Sequence, residues 1–115
     1  MPYSRGDVVL VLFPDSNLVT AKRRPALVVQ ADSLQTGLPQ TIVAMITSNL
    51  ARSGHASRVT VRRMQQGQAM GLLSDSVIMT DNLATVRETE IDRAIGHCDN
   101  MHLVDAALRN TLALA

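Results

Sequence analysis

Lys22-Arg23-Arg24-Pro25-Ala26-Leu27-Val28-Val29-Gln30 sets three cations against a proline and then four apolar residues without a polar interruption. Proline disfavours helix at the residue before it and removes a backbone donor. The stretch predicts a basic loop ending at a buried strand over residues 26–30. A guanidinium at the mouth of a rigid strand can be aimed, whereas the same charge on a loop tip is not held in one geometry. A plain solvated basic turn is the competing reading, because runs of charge mark exposure first of all.

Outward from that stretch the chain alternates strands and loops. Towards the N-terminus, Asp7-Val8-Val9-Leu10-Val11-Leu12-Phe13 is too continuously apolar for a one-sided surface strand, and Pro14-Asp15-Ser16-Asn17 ends it with turn chemistry. Towards the C-terminus, Asp32 to Pro39 is a connection with room for one short helical turn, since Gly37 and Pro39 oppose anything longer. Thr41 to Thr47 is a third strand that stops in the polar cluster Thr47-Ser48-Asn49, where hydroxyls are available to a ligand. Arg58-Val59-Thr60-Val61-Arg62 alternates as an edge strand does. Gln65 to Gly71 is read as loop, Ser76–Met79 and Ala84–Arg87 as two short strands with Thr80-Asp81-Asn82 between them, and residues 91–97 as one more strand or turn.

The last sixteen or so residues differ. Asp99-Asn100 offers a helix N-cap, and Met101, Val104, Ala107, Leu108, Thr111 and Leu112 fall on one face at helical spacing. Many short strands and one terminal helix predict a mainly β fold, a small bent barrel or sandwich of SH3-like size closed by a C-terminal helix.

At 115 residues, 46% of them hydrophobic, the expectation is a single domain over 1–115 whose small core gains from a partner subunit. No segment has the length and apolarity of a membrane span and the start has no signal-peptide anatomy, so a cytoplasmic location away from membranes is expected. Cys98 is the only cysteine; with no second thiol to join it, it predicts no internal disulfide and a buried small side chain rather than a zinc ligand. No carboxylate or Cys/His cluster has metal-ligand spacing. The net charge of +1 hides an asymmetry. Residues 1–70 carry eight basic and three acidic side chains, and the remainder three basic and seven acidic. If the first part forms one face, that face attracts polyanions. With only Tyr3 and Phe13 as aromatics, modules that stack splayed bases are disfavoured.

The order of motifs Gly6-Asp7-Val8-Val9, Arg24-Pro25-Ala26-Leu27-Val28-Val29, Ile42 to Ser48 and Asp75 to Val86 resembles the MazF/PemK (Kid) family of toxin-antitoxin ribonucleases over nearly the whole chain. The resemblance implies an SH3-like barrel of the MazF/PemK/CcdB type acting as a homodimer. It also implies sequence-selective, metal-independent cleavage of single-stranded mRNA without a cofactor, and neutralisation by a cognate antitoxin with an acidic flexible tail. Carried over by motif, the catalytic arginine before the proline falls on Arg24, the strand-end threonine on Thr47, and the later acidic residue on Asp81, with Asn82 at an amide position. The chain departs from the family pattern at Asn17 to Arg23, where many relatives carry a Glu-Gln pair and glycines, and at Met79, where the PemK branch has an arginine.

RNA carries its own nucleophile, the 2′-OH, so an enzyme needs to fix an in-line geometry, neutralise the phosphorane and handle two protons. Arg24 suits the second task, because its planar fork reaches two phosphate oxygens and keeps its charge. Thr47 offers a short donor to a non-bridging oxygen, or else bonds its own backbone. Asp81 would orient a proton acceptor or accept from a base edge, or is simply a turn residue. Lys22, Arg23, Ser48, Asn49, His55, Arg58 and Asn82 complete the candidate RNA contacts, with Arg52, Arg62 and Arg63 as further cations along a backbone track. Two other classes share the fold: a CcdB-like gyrase-binding toxin, whose C-terminal tryptophan has no counterpart here, and a non-catalytic SH3-like interaction module, which would need more aromatics.

Overall fold

Apolar residues occupy both faces of the central strands, and the rest of the fold covers them. The computed structural model describes residues 2–14 and 21–115. Six strands, β1 (Asp7–Pro14), β2 (Ala21–Val28), β3 (Gln40–Thr47), β4 (Arg58–Val61), β5 (Ser76–Arg87) and β6 (Ile91–His97), form one sheet in the order β4-β5-β3-β2-β1-β6. All neighbours are antiparallel. A short helix α1 (Gln66–Ala69) follows β4, and α2 (Met101–Leu112) ends the chain. The expected mainly β fold with a C-terminal helix is the observed one. Among the described residues no helix is long and apolar enough to cross a membrane.

Alternation divides each central strand between two cores. Val8, Leu27, Ala44 and Ile46 join Val59, Val61, Met70, Leu72, Ile78 and Cys98 beneath Val104 and Ala107 of α2. Val9, Val11, Ala26, Val28, Val43 and Met45 form a second cluster with Val86 and Ile91 on the opposite face. A strand buried on both sides has no polar face to show, which is why these runs read as continuous rather than alternating. β4 does alternate, with Val59 and Val61 buried and Thr60 exposed, as suits an edge.

Several local features differ from expectation. Lys22, Arg23 and Arg24 are not in a loop: they belong to β2, where they face Phe13, Leu12 and Val11. The apolar run of β1 extends far enough to offer them a ladder. Of the turn read over Pro14 to Asn17, Pro14 is the last residue of β1 and the rest lies outside the described residues; of the family departures over Asn17 to Arg23, residues 21–23 belong to β2 and 17–20 lie outside them. The two short strands expected around Thr80–Asn82 are one strand, β5, in which Met79 faces Met45 and Leu83 faces Ala44, so three residues bulge between adjacent partners on β3. The connection from Asp32 to Pro39 is turn and bend without a helix, whereas residues 66–69, read as loop, make the single turn of α1. Asn100 does not cap α2, because its Oδ1 accepts the Cys98 thiol at 3.1 Å. Leu112 of the predicted apolar face stays exposed, while Thr111 meets Thr80 at 2.7 Å between their hydroxyls.

The barrel is open. Among the described residues its edges β4 and β6 do not pair, and the segment after β4 fills the gap instead. Gly71, with φ +72°, lies so close to β6 that a Cβ there would come within 2.1 Å of the Ile95 oxygen. A Cβ on Gly96 would meet the carbonyl carbon of Met70 at 2.3 Å. Ile95 is itself the extra residue of a bulge, since Val8 faces Gly96 and Val9 faces Ala94. Gly96 has no positive φ, so its constraint is purely steric. Gly96→Ala is therefore expected to destabilise the fold by at least about 1–3 kcal/mol in urea unfolding. An unchanged midpoint would show that β6 and the α1 segment do not meet in this way.

Candidate active site

The β2–β3 ladder runs from Val28–Val43 to Ala26–Met45 and stops there. Continued two residues further, the same register would set Arg24 against Thr47, but the strands have parted. Pro25, with no N–H to give, stands where the second ladder has ended. Along their strands Arg24 shares a face with Ala26 and Val28, and Thr47 with Met45 and Val43, so both residues belong to one side of the sheet.

The parted ends border a cavity of about 450 Å³ lined by Arg23, Arg24, Thr47, Ser48, Ser74, Ser76 and Arg93; of its apolar floor of Leu10, Ile46, Leu72 and Ile95, the last three pack with the core beneath α2, so Arg24 and Thr47 stand at the edge where the two faces of the sheet meet. Gly71 forms part of its wall, so the close approach that fills the barrel gap also shapes the site. Leu10 links the two sides, facing Pro25 on β2 and Arg93 on β6. A larger cavity of about 750 Å³, between Tyr3-Ser4 and residues 30–41, has no Lys or Arg on its walls, and its charged members are Asp32 and Glu88. For an anionic ligand, charge decides between them, not size.

Most cations are occupied. Arg23 Nε lies 3.0 Å and the Arg93 guanidinium 2.8 Å from Asp92 Oδ2, so one carboxylate orients both. Arg5 pairs with Asp105, Arg62 with Asp75 and Arg58 with Asp81. The acidic C-terminal half thus folds back onto the basic N-terminal half, and the single basic face expected from the charge asymmetry is partly neutralised. Arg24 is not among them: its side chain has no carboxylate or hydrogen-bond partner among the described residues, and it is exposed. The Thr47 hydroxyl accepts the Asn49 N–H at 3.1 Å, which occupies a lone pair and leaves its proton without an acceptor among the described residues.

The remaining candidates divide. Arg23 and Ser48 join Arg24 and Thr47 on the cavity wall; Lys22, Asn49, His55, Arg58, Asp81 and Asn82 do not. Asn49 accepts the Ala51 N–H on its side chain at 3.1 Å and so caps a single 3₁₀ turn, Leu50–Arg52. His55 Nδ1 accepts the Ser57 N–H at 3.2 Å and sits 2.7 Å from the Ser57 hydroxyl. Asp81 and Arg58 form a fork on the β5 bulge, Oδ1 to Nε 3.3 Å and Oδ2 to Nη2 2.8 Å. Arg93, Asp92, Ser74 and Ser76 were not singled out from sequence. Among the described residues no group of three or more His, Cys, Asp or Glu side chains converges as metal ligands. Burial pushes the Cys98 thiol above its ordinary pKa, which makes it a poor nucleophile.

Hydrogen bonds from Arg58 hold the Asp81 carboxyl below its ordinary pKa of 3.8. The sign follows from the depressed folded value: whatever the pair adds to stability is present above that ordinary value and fades as pH falls through the lowered one. A carboxyl-detected NMR titration should place Asp81 below 3.8 in the native protein and move it back up towards that value in Arg58→Ala. An Asp81 midpoint that ignores Arg58→Ala would mean the fork is not made.

Residues 4–112 match the sequence model of a family described as PemK-like, MazF-like toxin of type II toxin-antitoxin system. The endoribonuclease MazF2 of Mycobacterium bovis is 33% identical over 118 residues, covering 99% of this chain and 100% of that protein. Among solved structures, the Mycobacterium tuberculosis toxin MazF-mt6 aligns with a TM-score of 0.74 at 23% identity, over 95% of this chain and 98% of its own. A mycobacterial endoribonuclease in complex with its cognate antitoxin aligns with a TM-score of 0.70 at 21% identity, over 98% and 97%. At those identities the two structures speak for the fold.

Proposed function

The chain belongs to the PemK-like, MazF-like family of type II toxin-antitoxin toxins, and on that premise we propose that it is the toxin of such a pair, an endoribonuclease that cuts single-stranded mRNA in the cytoplasm. The observation that carries this reading is Arg24, which borders a cation-bearing cavity where β2 and β3 part and whose side chain has no partner among the described residues, on the same side of the sheet as the Thr47 hydroxyl, whose proton has no acceptor among them.

In the proposed reaction the 2′-OH of the nucleotide before the cut attacks the adjacent phosphorus in line with the departing 5′-oxygen. The 2′-oxygen gives up its proton, the P–O5′ bond breaks, and the 5′-oxygen takes a proton, leaving a 2′,3′-cyclic phosphate and a 5′-OH. Arg24 meets the charge that builds on the non-bridging oxygens with two N–H donors. Thr47 donates to one of the same oxygens; because the Asn49 N–H fixes one lone pair, its hydroxyl has fewer orientations to choose from. Arg23 and Arg93, both oriented by Asp92, hold the phosphates on either side, and Ser48 offers a further donor at the rim. Asp81, held ionised by Arg58, is a weaker base than a free carboxylate and is given no proton to carry.

The same cations suit an acidic, flexible antitoxin tail, which would compete with RNA for the cavity and lose affinity in high salt. A homodimer would join two such cavities into one track for a single strand. Exposed Leu and Met side chains such as Met64, Leu73 and Leu83 supply apolar surface for a second subunit or for the tail.

Purified protein incubated with a long RNA in EDTA should produce discrete new 5′ ends. Arg24→Ala should lower kcat by on the order of 100-fold or more with the fold intact by circular dichroism, and Arg24→Lys should recover only part of the loss because the fork is gone. Cleavage unchanged by Arg24→Ala would overturn the site.

A further inference from the structure

The β5 bulge carries an ion pair that the proposed reaction leaves without a task, and its hydrogen bonds lead back to Thr47. Thr80 anchors the bulge: it is fully buried, its N–H and hydroxyl both reach the Ser57 oxygen, at 3.0 and 2.6 Å, and its hydroxyl meets Thr111 of α2. Asp81, the next residue, is thereby held beside β4, where it takes Nε and Nη2 of Arg58 in a fork. The third guanidinium nitrogen, Nη1, donates to the carbonyl oxygen of Arg52 at 3.2 Å. Arg52 closes the 3₁₀ turn Leu50–Arg52, Asn49 caps that turn, and the Asn49 N–H is the group that fixes the Thr47 hydroxyl.

All three guanidinium nitrogens of Arg58 are engaged, and its side chain is 21% exposed, against 57% for Arg62 in its pair with Asp75. A partly covered fork with an additional backbone acceptor holds one geometry more firmly than an exposed pair does. Among the described residues the turn after β3 has few other hydrogen bonds: within it, Ser53 bonds back to Leu50 through both its N–H and its hydroxyl, and those bonds do not reach the sheet.

We propose that Asp81 and Arg58 are positioning residues which hold the Asn49–Arg52 turn and through it aim the Thr47 hydroxyl at the scissile phosphate. This rests on the reading of Thr47 as a donor to that phosphate. Arg58 then acts on the turn and not on the RNA backbone, and Asp81 acts on Arg58 and not on a substrate proton.

The test is a mutant cycle on RNA cleavage with kcat and KM measured separately. Asp81→Asn and Arg58→Lys each leave a folded protein, checked by circular dichroism, and each lowers kcat by about 10- to 100-fold with little change in KM, the size expected when a catalytic group is displaced from outside. Lysine keeps the charge but cannot bridge a carboxylate and a carbonyl at once, so full activity in Arg58→Lys would overturn the proposal in favour of simple charge attraction. In a Thr47→Val background, Asp81→Asn should cost no more, because the hydroxyl it aims is gone. A loss as large as in the native background would overturn the positioning role while leaving Thr47 in place. An unchanged kcat for Thr47→Val alone would overturn the reading of the site beneath it. The pH profile of kcat should keep its shape in Asp81→Asn; disappearance of an acidic limb would mean that Asp81 titrates in the reaction. Independently of activity, the backbone amide shift of Asn49 should move in Asp81→Asn, and a shift that stays put would break the proposed link.

Discussion

Burial of β1, β2 and β3 on both faces is the constraint on which the rest of the structure depends. With Val8, Leu27 and Ala44 committed to one core and Val9, Ala26, Val28 and Val43 to the other, neither face of these strands is free to present polar chemistry. Polar groups can be offered only where the pairing between strands runs out. Arg24 and Thr47 stand at that point, past the last β2–β3 pair, with a rigid ladder immediately behind them. A site placed there inherits the precision of the sheet without interrupting it.

The charges obey a second economy. Surface ion pairs add little to stability, but they decide which cations remain available. Asp92 holds Arg23 and Arg93, Asp81 holds Arg58, Asp75 holds Arg62 and Asp105 holds Arg5. What is left at the cavity is one exposed guanidinium with no carboxylate partner among the described residues, flanked by two that share Asp92, an arrangement that concentrates positive potential where a phosphate can approach. Mean sequence charge does not report this, because, apart from Asp92 beside Arg93, the carboxylates that do the pairing lie many residues away along the chain.

The sequence was most informative where local rules and tertiary packing agree. Continuous apolar runs announced doubly buried strands, the alternation of β4 announced an edge, and the spacing of Met101, Val104, Ala107 and Leu108 announced α2. It was least informative where the partner is distant. Three successive cations before a proline look like a loop until a long β1 offers them a ladder. Thr80-Asp81-Asn82 has turn chemistry, and only pairing on both flanks makes it a bulge in one strand. Arg93 enters the cavity because β6 lies beside β1 and sets it opposite Leu10, a register that no local pattern near Arg93 displays. Gly96 carried no turn signal, since its role is to let another backbone come close. Asp81 shows the same limit for chemistry: its place in the motif order marked it for attention, and only the geometry connects it to Arg58 and the turn beyond.

The central claim is that the protein uses the RNA's own 2′-OH as nucleophile while Arg24 and Thr47 stabilise the phosphorane. The most direct measurement is made on an oligoribonucleotide carrying a mapped cut site, in which the single nucleotide 5′ of the cut is replaced by its 2′-deoxy form. The account predicts that this oligonucleotide still binds but is not cleaved, while the all-ribo parent yields a 2′,3′-cyclic phosphate and a 5′-OH. Cleavage of the deoxy-substituted strand at the same position would contradict it, because an external nucleophile would then be doing the work assigned to the 2′-OH.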